Sequence, residues 1–137
     1  MSGLYDADVL LWSEQQAELL RRRAANALDW ENLAEEIEDV GRSQLNAVES
    51  LLTQALLHYL KAECWPLSQS APAWRADAPL FRRQARHCFT PSMRQRIDLA
   101  GLYADALAGL PETMDNQAPL PASEPCPFTL DELLAEA

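Results

Sequence analysis

Residues 29–65 read DWENLAEEIEDVGRSQLNAVESLLTQALLHYLKAECW, and the fold is decided by this one stretch. Its apolar residues fall at Trp30, Leu33, Ile37, Val40, Leu45, Val48, Leu52, Leu56 and Tyr59, mostly three or four apart. That is the period of a helix with one buried face. Leu51, Ala55 and Leu57 widen the face in the C-terminal half. Asp29 caps the start, because its carboxylate accepts an orphan backbone N–H, and Asn32 stands where Glu or Gln would complete a capping box. Glu31 places negative charge in the first turn, where the helix dipole favours it. Gly41 costs about 1 kcal/mol relative to alanine. The apolar pattern keeps its phase across it, so one continuous helix is predicted, with Gly41 allowing a kink or the close approach of another helix. Pro66 ends the run.

Working outward, residues 4–27 are predicted as the first helix, with Asp6 and Asp8 at its start and Arg21, Arg22 and Arg23 near its end, as the helix dipole prefers. The short link Asn26–Asp29 implies that the first two helices are antiparallel neighbours. A third helix runs from Pro72 or Ala73 to Cys88, or starts at Pro79 with that proline as its first residue. A fourth is predicted over Met93–Leu110, with Ser92 and Gln95 as a capping box. Residues 112–128 are proline-rich and form an extended strap. Residues 129–137 form a short terminal helix, opened by a Thr129–Glu132 capping box. The fold class is therefore all-α: a single bundle of about four main helices in one domain, residues 1–137.

Composition bounds the function. The 137 residues are 48 % hydrophobic, which is globular rather than disordered. Twenty-one acidic residues against 11 basic ones leave a net charge of −10. That disfavours general nucleic-acid binding and anionic membrane surfaces, and suits basic partners or cations. The start MSGLYDADVLLW has no basic region ahead of an apolar core, and no apolar run approaches the ~20 residues of a membrane span. Three widely spaced cysteines, Cys64, Cys88 and Cys126, read as reduced thiols in a cytoplasmic protein.

The candidate chemistry lies on the long helix. Glu31, Glu35, Glu38 and Asp39 occupy neighbouring faces at spacings of three and four. Carboxylates so placed can act as acid and base or hold a divalent metal. The plainer reading is a solvated or partner-facing surface, neutralised by arginines, with Arg82, Arg83 and Arg86 as the internal candidates. His58, in the apolar setting LLHYLK, is the histidine that would join Glu35 and Glu38 in a catalytic or metal site. In a straight helix it stands about 30 Å from Glu38 at 1.5 Å per residue. His87 and Cys88 are adjacent and point about 100° apart, a poor chelating pair. The four tryptophans, Trp12, Trp30, Trp65 and Trp74, have helical phases that fit core packing. No cofactor is predicted beyond a possible divalent metal.

The stretches YDADVLLWSEQQAELLR, LDWENLAEEIEDVGRSQLNAVESLL, LLHYLKAECWP and CPFTLDELL together resemble the bacterial and cyanobacterial family catalogued as domain of unknown function number twenty-nine. The likeness covers nearly the full length, and LDWENLAEEIE with a nearby GRS is its most specific part. It implies an all-helical single domain and no reaction. One departure is Asp77-Ala78-Pro79, where the family continues an arginine-rich helix. The function expected is association with a protein partner or with itself, through a surface including Glu31, Glu35, Asp39, Arg82, Arg83 and Arg86. The alternative is a metal-binding protein or metal-dependent enzyme built on Glu35, Glu38 and His58.

Overall fold

Helical periodicity becomes helix nearly everywhere it is strong. The computed structural model describes residues 3–136; Met1, Ser2 and Ala137, the last residue of the predicted terminal helix, lie outside the described residues. Among the described residues six α-helices follow one another: α1 (Leu4–Ala7), α2 (Val9–Arg21), α3 (Trp30–Cys64), α4 (Ala71–Cys88), α5 (Leu99–Ala108) and α6 (Leu130–Leu134). The described residues hold no β-strand, only one isolated bridge between Met114 and Gln117. No described helix is long and apolar enough to cross a membrane. The all-helical class and the long central helix stand as predicted, and α3 passes Gly41 unbroken; the terminal helix is shorter than the predicted 129–137, covering Leu130–Leu134. The chain forms two compact units, Met1–Ser43 and Gln44–Ala137, with α3 contributing to both.

In the first unit the predicted helix 4–27 is three pieces. Asp8 is extended, with φ −157° and ψ 90°, and its carboxylate accepts the Leu11 N–H at 3.0 Å. A short acidic side chain that caps the backbone competes with the helix passing through it, so α1 stops and α2 starts anew. The exit of α2 is a Schellman closure: the Ala24 N–H donates to the Leu19 carbonyl at 2.9 Å and the Arg23 N–H to Leu20 at 3.0 Å. Arg23 takes the left-handed position at φ 55°, a place usually given to glycine. A single 3-10 turn, Ala25–Ala27, leads into α3. Trp12 and Gln16 are the buried residues described in this unit.

The second unit holds the larger core. Val48, Leu52, Leu56 and Leu60 of α3 pack with Ala85, Met93, Leu102, Tyr103, Ala106 and Leu133. α4 begins at Ala71, with Pro72 in the first turn, where its missing donor would be unpaired anyway. It continues through Pro79, because Trp74 and Ala78 before the proline and Ala85 after it are all buried, and that packing outweighs one lost hydrogen bond. The predicted fourth helix is shorter than expected. Pro91–Met93 form a 3-10 turn with Met93 buried, Ser92 caps no helix, and regular helix starts only at Leu99.

The strap contains a turn that composition hid. Asp115 and Asn116 adopt φ 55° and 60°, and Met114 and Gln117 exchange N–H···O bonds of 3.0 and 2.9 Å. Two successive left-handed residues flanked by a mutually bonded pair make the tightest hairpin turn. The Leu120 N–H donates to the Cys64 carbonyl, satisfying an acceptor orphaned at the end of α3, and the Trp65 indole donates to the Gln117 carbonyl, both at 2.9 Å. The terminal capping box forms as predicted, with the Glu132 N–H donating to Thr129 Oγ1 at 3.1 Å and the Thr129 N–H to Glu132 Oε1 at 3.0 Å. Arg82 then holds the far end of α6, donating to the Leu133 carbonyl at 3.0 Å and the Glu132 carbonyl at 2.8 Å.

Leu133, wholly buried, is the anchor of that terminal helix. Leu133→Ala is expected to cost about 2–4 kcal/mol through lost burial and a residual cavity. Urea unfolding followed by helical circular dichroism measures it; a loss under ~1 kcal/mol would mean that α6 is not a core element.

Candidate functional site

The first unit is organised by one carboxylate. The Trp12 indole N–H donates to Asp29 Oδ2 at 3.0 Å, the Asn32 side-chain amide donates to the same oxygen at 2.8 Å, and the Asn32 backbone N–H reaches Oδ1 at 3.5 Å. The Asp29 N–H in turn donates to Oε1 of buried Gln16 at 2.8 Å. The predicted cap of α3 is therefore also the tie to α2. These donors, the Asn32 amide first and then the Trp12 indole, hold the Asp29 carboxyl below its ordinary value of 3.8. A second tie lies further along α3, where the Tyr5 hydroxyl donates to Glu36 Oε1 at 2.5 Å. That bond, with lesser help from burial and the neighbouring carboxylates, pushes the Tyr5 phenol up to about 12. As the partner on α3 advances from Asp29 to Glu36, the partner on the first segment retreats from Trp12 to Tyr5, so the two run antiparallel, as the short link implied.

The acidic run does not converge. Glu31, Glu35 and Glu38 are exposed, Asp39 is half-buried, and Glu36 turns inward to Tyr5. Its cation comes from the same helix: Arg42 pairs with Asp39, its Nε donating at 3.1 Å, and lies 4.0 Å from Glu38. His58 belongs to the second unit. It is half-buried, its ring 5.1 Å from that of Phe81, and its Nδ1–H donates to the Gln54 carbonyl at 2.8 Å, one turn back. Arg82, besides its bonds to α6, donates to the Tyr59 hydroxyl at 3.0 Å, and Arg86 donates to the Ala135 carbonyl at 3.2 Å. Arg83 is exposed. Among the described residues no three His, Cys, Asp or Glu side chains gather as a metal ion would require.

Hollows also lie among the described residues of the second unit. One, of about 710 Å³, is open and lies between the turn after α3 and the strap hairpin, with Trp65, Leu67, Ser68, Met114 and Asp115 among its walls. Another, of about 270 Å³, is lined by Tyr59, Glu63, Tyr103, Ser123 and Phe128. There the Ser123 hydroxyl donates to Glu63, and the buried Tyr103 hydroxyl donates to the Ser123 carbonyl. Burial, aided by Glu63, pushes the Tyr103 phenol up to about 12. These groups bond to one another and pin the strap. Nothing in the sequence around Glu63, Tyr103 or Ser123 singled them out, since the three lie far apart along the chain.

The feature that stands out is apolar. The predicted seam of α3 is buried from Val48 onward, yet Trp30, Ile37 and Val40 are 63 %, 69 % and 65 % exposed. Val9, Leu10, Leu11 and Leu20 of α2 are about half exposed or more. Of the four tryptophans assigned to the core, Trp12, Trp65 and Trp74 are buried and Trp30 is not. On α3 the residues facing the ties, Asn32, Leu33 and Glu36, are half-buried. The neighbouring strip, Trp30, Ala34, Ile37 and Gly41, advances by four, three and four and is exposed throughout. That alternation is the seam spacing of paired helices. A methyl group added at Gly41 would meet nothing within 4 Å, so of the two uses foreseen for that glycine, a kink or a close approach, the close approach is not made among the described residues.

A family model described as "Domain of unknown function DUF29" matches residues 4–137. The chain is also similar to an alpha-helical protein of unknown function from Rhodospirillum rubrum, known from its crystal structure. The identity is 32 % and the TM-score 0.68, over 99 % of this chain and 92 % of that one. Among curated proteins nothing matches. The resemblance read from the sequence is thereby shown, and neither description names a reaction, ligand or partner.

Because the folded-state value of Asp29 lies below its unfolded value, its contribution to stability is complete above the unfolded value and disappears as the pH falls through the folded one. Acidification is therefore expected to release the Trp12 indole, seen as a shift of its N–H resonance with a midpoint below 3.8. Asp29→Asn should abolish that titration; a midpoint at or above the ordinary value would show that the carboxylate is not held by these donors.

Proposed function

The chain belongs to the DUF29 family, and from that premise we propose that it is an association module whose N-terminal unit docks a protein surface through the exposed apolar face of α2 and α3. One observation carries the reading: large apolar side chains at Val9, Leu10, Leu20, Trp30, Ile37 and Val40 stay in water in a unit whose described buried residues are one tryptophan and one glutamine. Each such side chain offers roughly 100 Å² at the usual transfer coefficient. Together they expose about 600 Å², at the upper end of the largest patch a typical monomer carries and close to the ~800 Å² that each partner gives to a standard interface. A unit of this size also lacks the core to be stable by itself, and segments this short usually gain stability from a partner. The exposed carboxylates Glu31, Glu35 and Glu38 flank the strip and supply a polar rim. The three free cysteines suit a reducing compartment such as the cytoplasm.

The purified protein is expected to assemble at tens of micromolar, as read by light scattering after size exclusion. Ile37→Asp should weaken that assembly by at least ~10–100-fold, the equivalent of the 1.5–3 kcal/mol that one buried isoleucine contributes, while leaving helical circular dichroism intact. An assembly that Ile37→Asp leaves intact would overturn the reading.

A further inference from the structure

We infer that the occupant of this face is a second copy of the same chain, docked two-fold and end-over-end, so that Arg21, Arg22 and Arg23 of each copy lie against Glu31, Glu35 and Glu38 of the other. The inference rests on the association reading above and adds the partner and its direction.

The argument is one of charge and symmetry. The first unit carries ten acidic and four basic residues, and three of those four are consecutive at the exit of α2. All three arginines are exposed. The ion pair described among them is a loose one, Arg22 Nε to Glu18 at 3.8 Å between two well-exposed side chains. The opposite charge is gathered on α3 at Glu31, Glu35 and Glu38, also exposed, with Arg42 engaged chiefly by Asp39. The two clusters sit at different levels of the unit. The bonds of Asp29 to Trp12 and Gln16 set the start of α3 level with that turn of α2, and Arg21 lies five to nine residues further along, about 7–14 Å beyond at 1.5 Å per residue. The acidic run extends from the start of α3 in the opposite direction, because the segments are antiparallel.

The unit is thus a rod with a positive end, a negative remainder and an apolar flank. Two such rods can cover their flanks by a two-fold axis along the rod or across it. The first stacks arginine on arginine and carboxylate on carboxylate. The second brings each positive end to the other's negative run, twice over, as an isologous interface requires. Like charges held face to face repel and opposite charges attract, so the crossed arrangement is selected. The strip Trp30, Ala34, Ile37 and Gly41 has the spacing of a helix seam, and the small residues at its second and fourth positions let a partner helix come close. The exposed apolar area, about 600 Å² per copy, is what a modest two-fold interface needs. A nucleic acid or an anionic membrane would meet the net negative charge of the unit and is disfavoured.

The test is a charge exchange between full-length chains. One variant carries Arg21→Glu, Arg22→Glu and Arg23→Glu; a second carries Glu31→Lys, Glu35→Lys and Glu38→Lys. Each alone should lose assembly at least tenfold relative to wild type, with unchanged helicity. Mixed one to one, they should recover a dimer of wild-type mass, because both charge clusters are then opposite across the interface. Added salt should weaken the wild-type dimer. If the wild type is a dimer but the mixture stays monomeric, the end-over-end arrangement is wrong while the association reading survives. If the wild type is a monomer, this inference fails and the docking reading is left with a different protein as partner. A wild-type assembly larger than a dimer, or one indifferent to both charge variants, also overturns the inference.

Discussion

A strip of apolar side chains along a helix gains stability wherever it is covered, and α3 is covered by its own chain over only part of its length. From Val48 to Leu60 the strip is buried by α4, α5 and α6 residues in a core that includes Ala85, Leu102, Ala106 and Leu133. At Trp30, Ile37 and Val40 it stays wet. The hydrophobic term makes no distinction between the two halves, since each exposed side chain forgoes the same ~1.5–3 kcal/mol that its buried counterpart contributes. The difference lies in what else the chain provides at each place. Other features of the molecule, the strap pinned at Cys64 and the arginine hold on α6, serve to close the second half.

The polar interactions divide along the same line. In the second unit they terminate elements: Arg82 and Arg86 neutralise the carbonyls at the end of α6, Leu120 satisfies Cys64, and Tyr103 and Ser123 fasten the strap. Each removes the cost of a helix end or a buried polar atom, which is what a closed core demands. In the first unit the principal bonds, Trp12 and Gln16 to Asp29 and Tyr5 to Glu36, set the register between two segments whose described buried residues are Trp12 and Gln16. Register held by hydrogen bonds leaves a hairpin whose apolar flank is available for another surface.

Much of this was legible beforehand, for a local reason. The span of α3, the Asp29 cap, the Thr129–Glu132 capping box and the all-helical class depend on residues within a turn or two of each other, and so do the family motifs. Misses arose where a side chain answered to something distant or to its own backbone. Asp8 broke a continuous apolar pattern by capping, and Met93 left a helical phase to fill the core. Asp115-Asn116 turned a tract read as extended. Trp30 had the phase of a core residue and is exposed. The partner expected for the acidic run was Arg82, Arg83 or Arg86; the cation beside it is Arg42, while Arg82 and Arg86 are engaged with the C-terminal end of the chain and Arg83 is exposed.

Taken alone, the chain's order of residues determined where helices can run, which side of each is apolar, and that the charge is predominantly negative, because propensity and periodicity act over three or four neighbours. Tertiary structure alone decided which part of an apolar side is covered. Burial is a property of whichever groups fold back over a residue, and a period of 3.6 looks the same whether the opposing surface comes from the same chain or has to be brought by another.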